Sequence, residues 1–138
     1  MKIGKTYLPL ILVAAAQLAP VFAHAAELSV VKNNDVSYVS GGAGDDEQDQ
    51  LNAMADRFNL KVTMALSNGD YVSGVALSIR DTRGEKVLET VANGPILLAS
   101  LKPGTYTVDA SLNGKKLEKP AQVGATGRQE LAFAWASE

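Results

Sequence analysis

Downstream of residue 60 the chain alternates between apolar and polar positions. Leu60, Val62, Met64 and Leu66 are separated by Lys61, Thr63 and Ala65, and Val75, Leu77 and Ile79 continue the pattern. Tyr106, Val108, Ala110 and Leu112 are separated by Thr105, Thr107, Asp109 and Ser111. A period of two puts successive side chains on opposite faces of a strand, one buried and one wet. Turn signals punctuate the alternation at 67–70, 81–84, 92–95, 113–114 and 124–127, three of them built on Asn-Gly, the strongest short hairpin signal. Between the runs 96–101 and 105–112 stands Lys102-Pro103-Gly104. There Pro103 presets φ, and Gly104 is expected to supply the positive φ of a type II-like turn joining two neighbouring strands. The pattern predicts seven strands, over 60–66, 71–80, 86–91, 96–101, 105–112, 115–123 and 129–135. They are expected to form a mainly β fold, a seven-stranded antiparallel β-sandwich of Greek-key type. The run 115–123 carries Lys115, Lys116, Lys119 and Pro120, which marks it as an edge strand guarded against unwanted pairing.

Upstream the period changes. Leu51, Met54, Ala55 and Phe58 lie at helical spacing and form one apolar stripe, which predicts a short amphipathic α-helix over 45–58 preceding the sandwich. Asp45 is the expected N-cap with Gln48 as its capping-box partner, Asp46, Glu47 and Asp49 complement the helix dipole, and Asn59 is the expected C-terminal cap. A single stripe needs a single partner surface, so the helix is expected on a face or edge of the sandwich. Before it, 27–32 and Val36 to Tyr38 suggest two short strands, and Ser40-Gly41-Gly42-Ala43-Gly44 forms no regular element.

The first residues belong to targeting rather than to the fold. Lys2 and Lys5 precede an apolar run over 8–22, and Ala23-His24-Ala25 offers small residues at the two positions a signal peptidase reads. This is the pattern of a secretory signal peptide over 1–25, cleaved between Ala25 and Ala26. The run, broken by Pro9, Gln17 and Pro20, is short of the ~20 residues a bilayer span takes. The expected organisation is 1–25 signal peptide, 26–59 lead-in, glycine loop and helix, and 60–138 sandwich, exported to the periplasm or the medium.

Export changes the chemistry available. The single histidine, His24, leaves with the signal peptide, and the chain has no cysteine. Ordinary zinc sites, Ser-His-Asp and Cys-His nucleophile systems and histidine acid–base catalysis then have no residues to work with. The mature part carries 11 basic and 15 acidic residues, a net charge of −4, which disfavours nucleic acid and anionic lipid. The glycine run before a helix suggests an anion site, but Asp45, Asp46, Glu47 and Asp49 repel anions and no P-loop Lys follows. Asp45, Glu47 and Asp49 suggest calcium, but an EF-hand loop needs Gly where Gln50 stands and Glu where Asp56 stands. No metal and no cofactor is therefore expected. Tyr38, Tyr71, Tyr106 and Trp135 are candidates for a sugar-stacking platform, although the alternation turns all but Tyr38 inward or half-inward, toward core packing. Tyr38 sits beside the glycine loop, and Tyr38, Gly41, Gly42, Gly44 and Asp45 are the expected interaction segment, because a glycine loop longer than a hairpin needs suggests a purpose.

The stretch Leu101-Lys102-Pro103-Gly104-Thr105-Tyr106-Thr107-Val108, with the preceding strand, Asp81-Thr82-Arg83-Gly84 turn and strand, resembles the carboxypeptidase regulatory-like domains, also described as prealbumin-like or transthyretin-like sandwiches. The resemblance covers about 60–135, most of the mature chain. It implies a β-sandwich used as a structural appendage, an adhesion or carbohydrate-binding-like module, or a small stand-alone exported protein. One enzymatic branch of the transthyretin-like proteins hydrolyses a purine breakdown product with histidines and a C-terminal tetrapeptide of Tyr, Arg, Gly and Ser. This chain departs from that branch, with no histidine in its mature part and the ending Trp135-Ala136-Ser137-Glu138. The expected function is a non-enzymatic module that binds a protein or a cell-envelope component, with edge-strand pairing as one route. A carbohydrate-binding module is the alternative and a small hydrolase the third reading.

Overall fold

The computed structural model describes residues 28–33 and 35–137. The expected signal peptide and its expected Ala25–Ala26 cleavage point lie outside the described residues. In chain order the elements are β1 (Val31–Asn33), β2 (Val36–Gly41), α1 (Asp45–Met54), a 3-10 turn (Ala55–Arg57), β3 (Leu60–Leu66), β4 (Ala76–Arg80), β5 (Lys86–Val91), β6 (Ile96–Ser100), β7 (Gly104–Leu112), β8 (Lys115–Val123) and β9 (Gln129–Trp135). Two sheets form, one in the order β1-β2-β6-β3-β9 and one in the order β5-β4-β7-β8. The main core lies between them, where Leu60, Val62, Met64, Leu97 and Phe133 of the first sheet meet Leu77, Ile79, Val108 and Ala110 of the second. These are the inward members of the two-residue alternation.

The strand count and direction differ from the sequence expectation. Among the described residues the sandwich has nine strands, not seven, because β1 and β2 join the first sheet and β2 pairs with β6 from Ser37↔Ser100 to Gly41↔Ile96. The lead-in thus supplies part of that sheet. The sheet is also not wholly antiparallel: β9 runs parallel to β3, from Leu60↔Gln129 to Leu66↔Trp135. Periodicity reports which face a residue uses and carries no information about strand direction.

Strand β6 explains why its sequence does not alternate. Ile96, Leu97, Leu98 and Ala99 are all buried. Leu97 and Ala99 face the inter-sheet core, while Ile96 and Leu98 join Val39, Leu51, Ala55 and Phe58 in a second apolar cluster under the helix. A strand covered on both faces has no polar side to show. The helical stripe therefore finds its partner on the outer face of the first sheet.

The helix itself is shorter than 45–58 and starts one residue earlier in its capping. It ends at Met54 and tightens into the 3-10 turn, and Gly44 rather than Asp45 is its N-cap, without a side-chain capping bond. The glycine loop leading into this end is instead braced by side chains of the helix. Glu47 Oε1 accepts from Gly42 N at 2.9 Å and Ala43 N at 3.4 Å, while Gln48 Nε2 donates to Gly42 O at 3.0 Å. Asn59 caps no helix. Its side-chain amide accepts from Leu101 N at 2.9 Å and donates to Leu101 O at 2.7 Å, pinning the exit of β6 to the entry of β3.

The Pro103-Gly104 link is not a hairpin between neighbours. It carries the chain from β6 in one sheet to β7 in the other, and Gly104 is not among the glycines with positive φ. Tyr106 braces the corner from the core, donating its hydroxyl to Lys102 O at 2.7 Å. Within the second sheet the hairpins are β4–β5 and β7–β8. The second closes on Asn113 (φ 51°) and Gly114 (φ 81°), the two positive φ values of a type I′ turn, with Leu112 paired to Lys115. Strand β8 is an edge of its sheet, as its lysines and Pro120 predict.

Candidate functional site: the open face of the four-stranded sheet

The two outer faces of the sandwich differ. Helix α1 covers that of the first sheet, while among the described residues that of β5-β4-β7-β8 has no covering element. The strand register lays its outward side chains in rows. Val91, Ala76, Ser111 and Lys116 form one, and Glu89, Ser78, Asp109 and Glu118 the next. Arg80, Thr107 and Pro120 follow, with Lys86 paired to Arg80 across a bulge. The central strands thus provide a floor of small side chains, Ala76, Ser78 and Ser111. The edge strands provide walls of longer ones. Adjacent strands lie about 4.8 Å apart, so the walls stand roughly 14 Å from each other. The resulting concavity holds about 890 Å³.

One end of the trough is held by a charged network. Arg80 grips Asp109 with two bonds, Nε to Oδ2 at 3.1 Å and Nη2 to Oδ1 at 3.2 Å, and Nη2 also reaches Glu118 Oε2 at 3.3 Å. Asp109 is the one buried charged side chain among the described residues. Burial is the largest single influence on its carboxyl and pushes its pKa up. Hydrogen bonding to Arg80 and Glu118, with the charges of Arg80 and Lys116, outweighs burial, so Asp109 is held below the usual carboxylate range. The same hydrogen bond pushes the Arg80 guanidinium further above its already high value. Both groups keep their charges at neutral pH. Lys86 Nζ meets Glu89 Oε2 at 2.6 Å on the opposite wall. Between the walls the Ser78 hydroxyl is buried and has no hydrogen-bond partner. Val91 at the open end is 57% exposed.

Chemically the network holds fixed charges. A carboxylate clamped by a bidentate guanidinium is a poor proton donor at neutral pH. The described residues contain no group of three or more acidic, His or Cys side chains able to hold a metal ion. No described helix is long and apolar enough to cross a membrane.

The residues singled out from the sequence lie elsewhere. Tyr38 is half-buried against the main core and lines a separate cavity of about 360 Å³ with Ser40, Glu47, Thr90 and Asn93. Gly41 is the last residue of β2, and a Cβ there would lie 2.6 Å from Leu28 Cδ2 and 2.9 Å from Glu47 Oε1. Gly42 has φ +97° and packs against Ile96 and Leu51. Gly44 has open space around it, and Asp45 is exposed at the first position of α1. Tyr38, Gly41 and Gly42 therefore share one corner of the molecule, and packing and backbone conformation account for the two glycines. Of the candidate rings, Tyr106 and Trp135 are buried as expected, and Trp135 donates Nε1–H to Lys115 O at 2.9 Å. Tyr71 departs from expectation. It lies outside β4, in a single bridge to Ala65, and is 58% exposed. It is the one exposed aromatic ring among the described residues, so no pair of exposed rings offers a stacking platform there.

Arg80, Asp109 and Glu118 escaped notice in the sequence because each occupies an ordinary polar position of an alternating strand. Only the register, which sets Arg80 one row from Asp109 and Asp109 opposite Glu118, brings them together. The available signal was a charged residue in the middle of the longest alternating run, where Asp109 interrupts Thr and Ser. No protein-family model matches the chain, and no curated protein matches it.

Proposed function

We propose that this chain is an exported, non-enzymatic β-sandwich of the carboxypeptidase regulatory-like, prealbumin-like type, which binds a protein or a cell-envelope component through the open face of the four-stranded sheet. One observation carries the reading. The molecule spends its only described helix on one outer face and leaves the other bare, with a small-residue floor and side chains already locked in ion pairs. Locked charges lose little further freedom on binding, which lowers the ordering cost of an interface. The two-sheet architecture, the β4–β5 and β7–β8 hairpins and the Tyr106-braced corner support the family reading.

The test is to fill the floor. Ala76→Arg and Ser111→Arg place long side chains in the trough, at positions facing solvent. Surface changes of this kind shift stability by about 0.5 kcal/mol or less. Tagged mature protein and the double variant are used to recover partners from an envelope extract, with thermal unfolding measured on both. The reading requires that the variant unfold at the same temperature and lose the partners. Equal recovery by both proteins rejects this face.

A further inference from the structure

The chain holds three Asn-Gly pairs, at 68–69, 93–94 and 113–114. Asparagine followed by glycine is chemically unstable in water, since the unhindered glycine nitrogen can attack the asparagine side chain. We propose that Asn68 is a site of spontaneous modification to aspartate and isoaspartate in the folded protein, and that the fold shields Asn93 and Asn113.

The reaction needs no catalyst and no co-reactant but water. The Gly69 nitrogen loses its proton to solvent base and bonds to Asn68 Cγ. The Cγ–Nδ2 bond breaks, and Nδ2 takes protons from solvent and leaves as ammonia. Water then opens the five-membered imide at either carbonyl, giving aspartate or isoaspartate. No oxidation state changes.

The three sites differ in how far this attack is allowed. Asn93 is tied by its own N–H to Ser40 Oγ at 3.0 Å, and Gly94 is buried with its Cα so close to the Gly41 backbone that a Cβ would overlap it. The Gly94 nitrogen cannot swing. Asn113 and Gly114 are exposed but close the β7–β8 hairpin, whose ladder pairs nine residues on each strand. Reshaping that turn strains the register of the ladder behind it. Asn68 and Gly69 are both exposed, an added Cβ on Gly69 would meet nothing, and the turn outside any ladder is held by Gly69 N to Leu66 O at 2.9 Å, Leu66 N to Asp70 O at 2.7 Å, Val72 N to Met64 O at 3.4 Å, Ser67 N to Trp135 O at 2.7 Å and the single bridge Ala65↔Tyr71. Small, weakly supported units open locally at the lowest cost. The Asn68 side chain is hydrogen-bonded within the turn. Its Oδ1 accepts from Asp70 N at 2.9 Å, a bond that polarises the carbonyl and helps carry negative charge as the bond to nitrogen forms. The product adds a negative charge beside Asp70. In the isoaspartate form it also adds one main-chain atom to the link between the two sheets.

The experiment incubates the folded mature protein at mildly alkaline pH and follows the conversion by tryptic mapping with tandem mass spectrometry. Asn68 lies in the peptide 62–80, while Asn93 and Asn113 share 87–115, since Lys102 precedes Pro103, and are told apart by fragmentation. Conversion at Asn68 is expected about tenfold or more ahead of the other two in the folded protein. In denaturant, where glycine follows all three and nothing else constrains them, the rates are expected to draw level. An Asn68→Gln variant, which cannot form the five-membered ring, should remain unmodified in 62–80. Folded-state conversion at Asn113 or Asn93 that equals or exceeds Asn68, or a ranking that persists unchanged in denaturant, overturns the proposal.

Discussion

Glycine makes the clearest statement at the scale of single residues. Gly41 and Gly94 stand backbone to backbone where β2 passes the start of β6, and a Cβ on Gly94 would run into the Gly41 carbonyl group. Neither has to supply a positive φ; Gly94 is needed because the Gly41 main chain lies too close for a Cβ, whereas a Cβ on Gly41 would meet the Leu28 and Glu47 side chains. Gly44, in the same run, has nothing near it and an extended φ of −137°. Gly94→Ala is therefore expected to cost at least the roughly 1–3 kcal/mol of an overpacked core site, because the atom it strikes is backbone and cannot rotate away. Gly44→Ala should cost about 1 kcal/mol or less, as a lost N-cap preference. Urea unfolding of the two variants beside the parent checks the contrast, and similar midpoints for both would sink it. The glycine run was conspicuous in the sequence, but its purpose was not legible there. Composition marks Gly41 and Gly44 alike, and only the neighbours that folding brings to Gly41, namely Leu28, Glu47 and the distant Gly94, separate them.

Among elements, what the sequence showed well was every feature set by local periodicity. The inward faces of β3, β4, β7 and β9, the helical stripe of Leu51, Ala55 and Phe58, and the guarded edge strand β8 all follow from residues within one element. What it showed poorly was pairing: the parallel partnership of β9 with β3, the entry of β2 into the first sheet, and the crossing at Pro103-Gly104. Each depends on contacts between distant segments that leave no periodic trace. The Arg80–Asp109 pair belongs to the same class, being a product of the β4–β7 register. Its pH dependence follows from the direction of the Asp109 shift. The folded carboxyl lies below its ordinary value, so its favourable contribution is complete above the unfolded pKa and is lost as pH falls through the folded value. Asp109→Asn removes that contribution. The variant should be less stable than the parent at neutral pH, and the gap should narrow below about pH 4, where the unfolded carboxyl begins to take up protons. Asp81, also held low, remains in both proteins and leaves part of the acid sensitivity in place. Thermal unfolding of the pair from neutral to strongly acidic pH measures the gap, and a constant gap across that range would show that the ion pair does not supply the difference.

At the scale of the whole molecule, two sheets of unequal width leave four edges, and the chain treats them differently. Strand β1 has only three residues, and β5 carries Lys86, Glu89 and a bulge opposite Arg80. Strand β9 runs beside β8 where the sheets meet, and Lys119 reaches over the Phe133 ring at 5.7 Å from its centre. Among the described residues strand β8, nine residues long, has no ladder partner other than β7, and it is long enough to template a second chain. Its defence is Lys116 and Lys119, which make an approaching copy meet like charge, and Pro120, which removes a donor from the exposed ladder. Lys116 and Pro120 face solvent, while Lys119, though exposed, is paired with the inward Val108 and lies over Phe133. Their value lies in what they prevent. Replacing them together, Lys116→Thr, Lys119→Thr and Pro120→Val, raises the strand propensity of the edge and strips its charge while leaving the inward residues Ala121 and Val123 in place. The parent is expected to give the same sedimentation coefficient across a wide concentration range as far as this edge is concerned. The triple variant should associate as concentration rises, and restoring Pro120 alone should reverse much of it. A variant whose sedimentation stays as independent of concentration as the parent's would mean that the lysines and proline do not guard this edge.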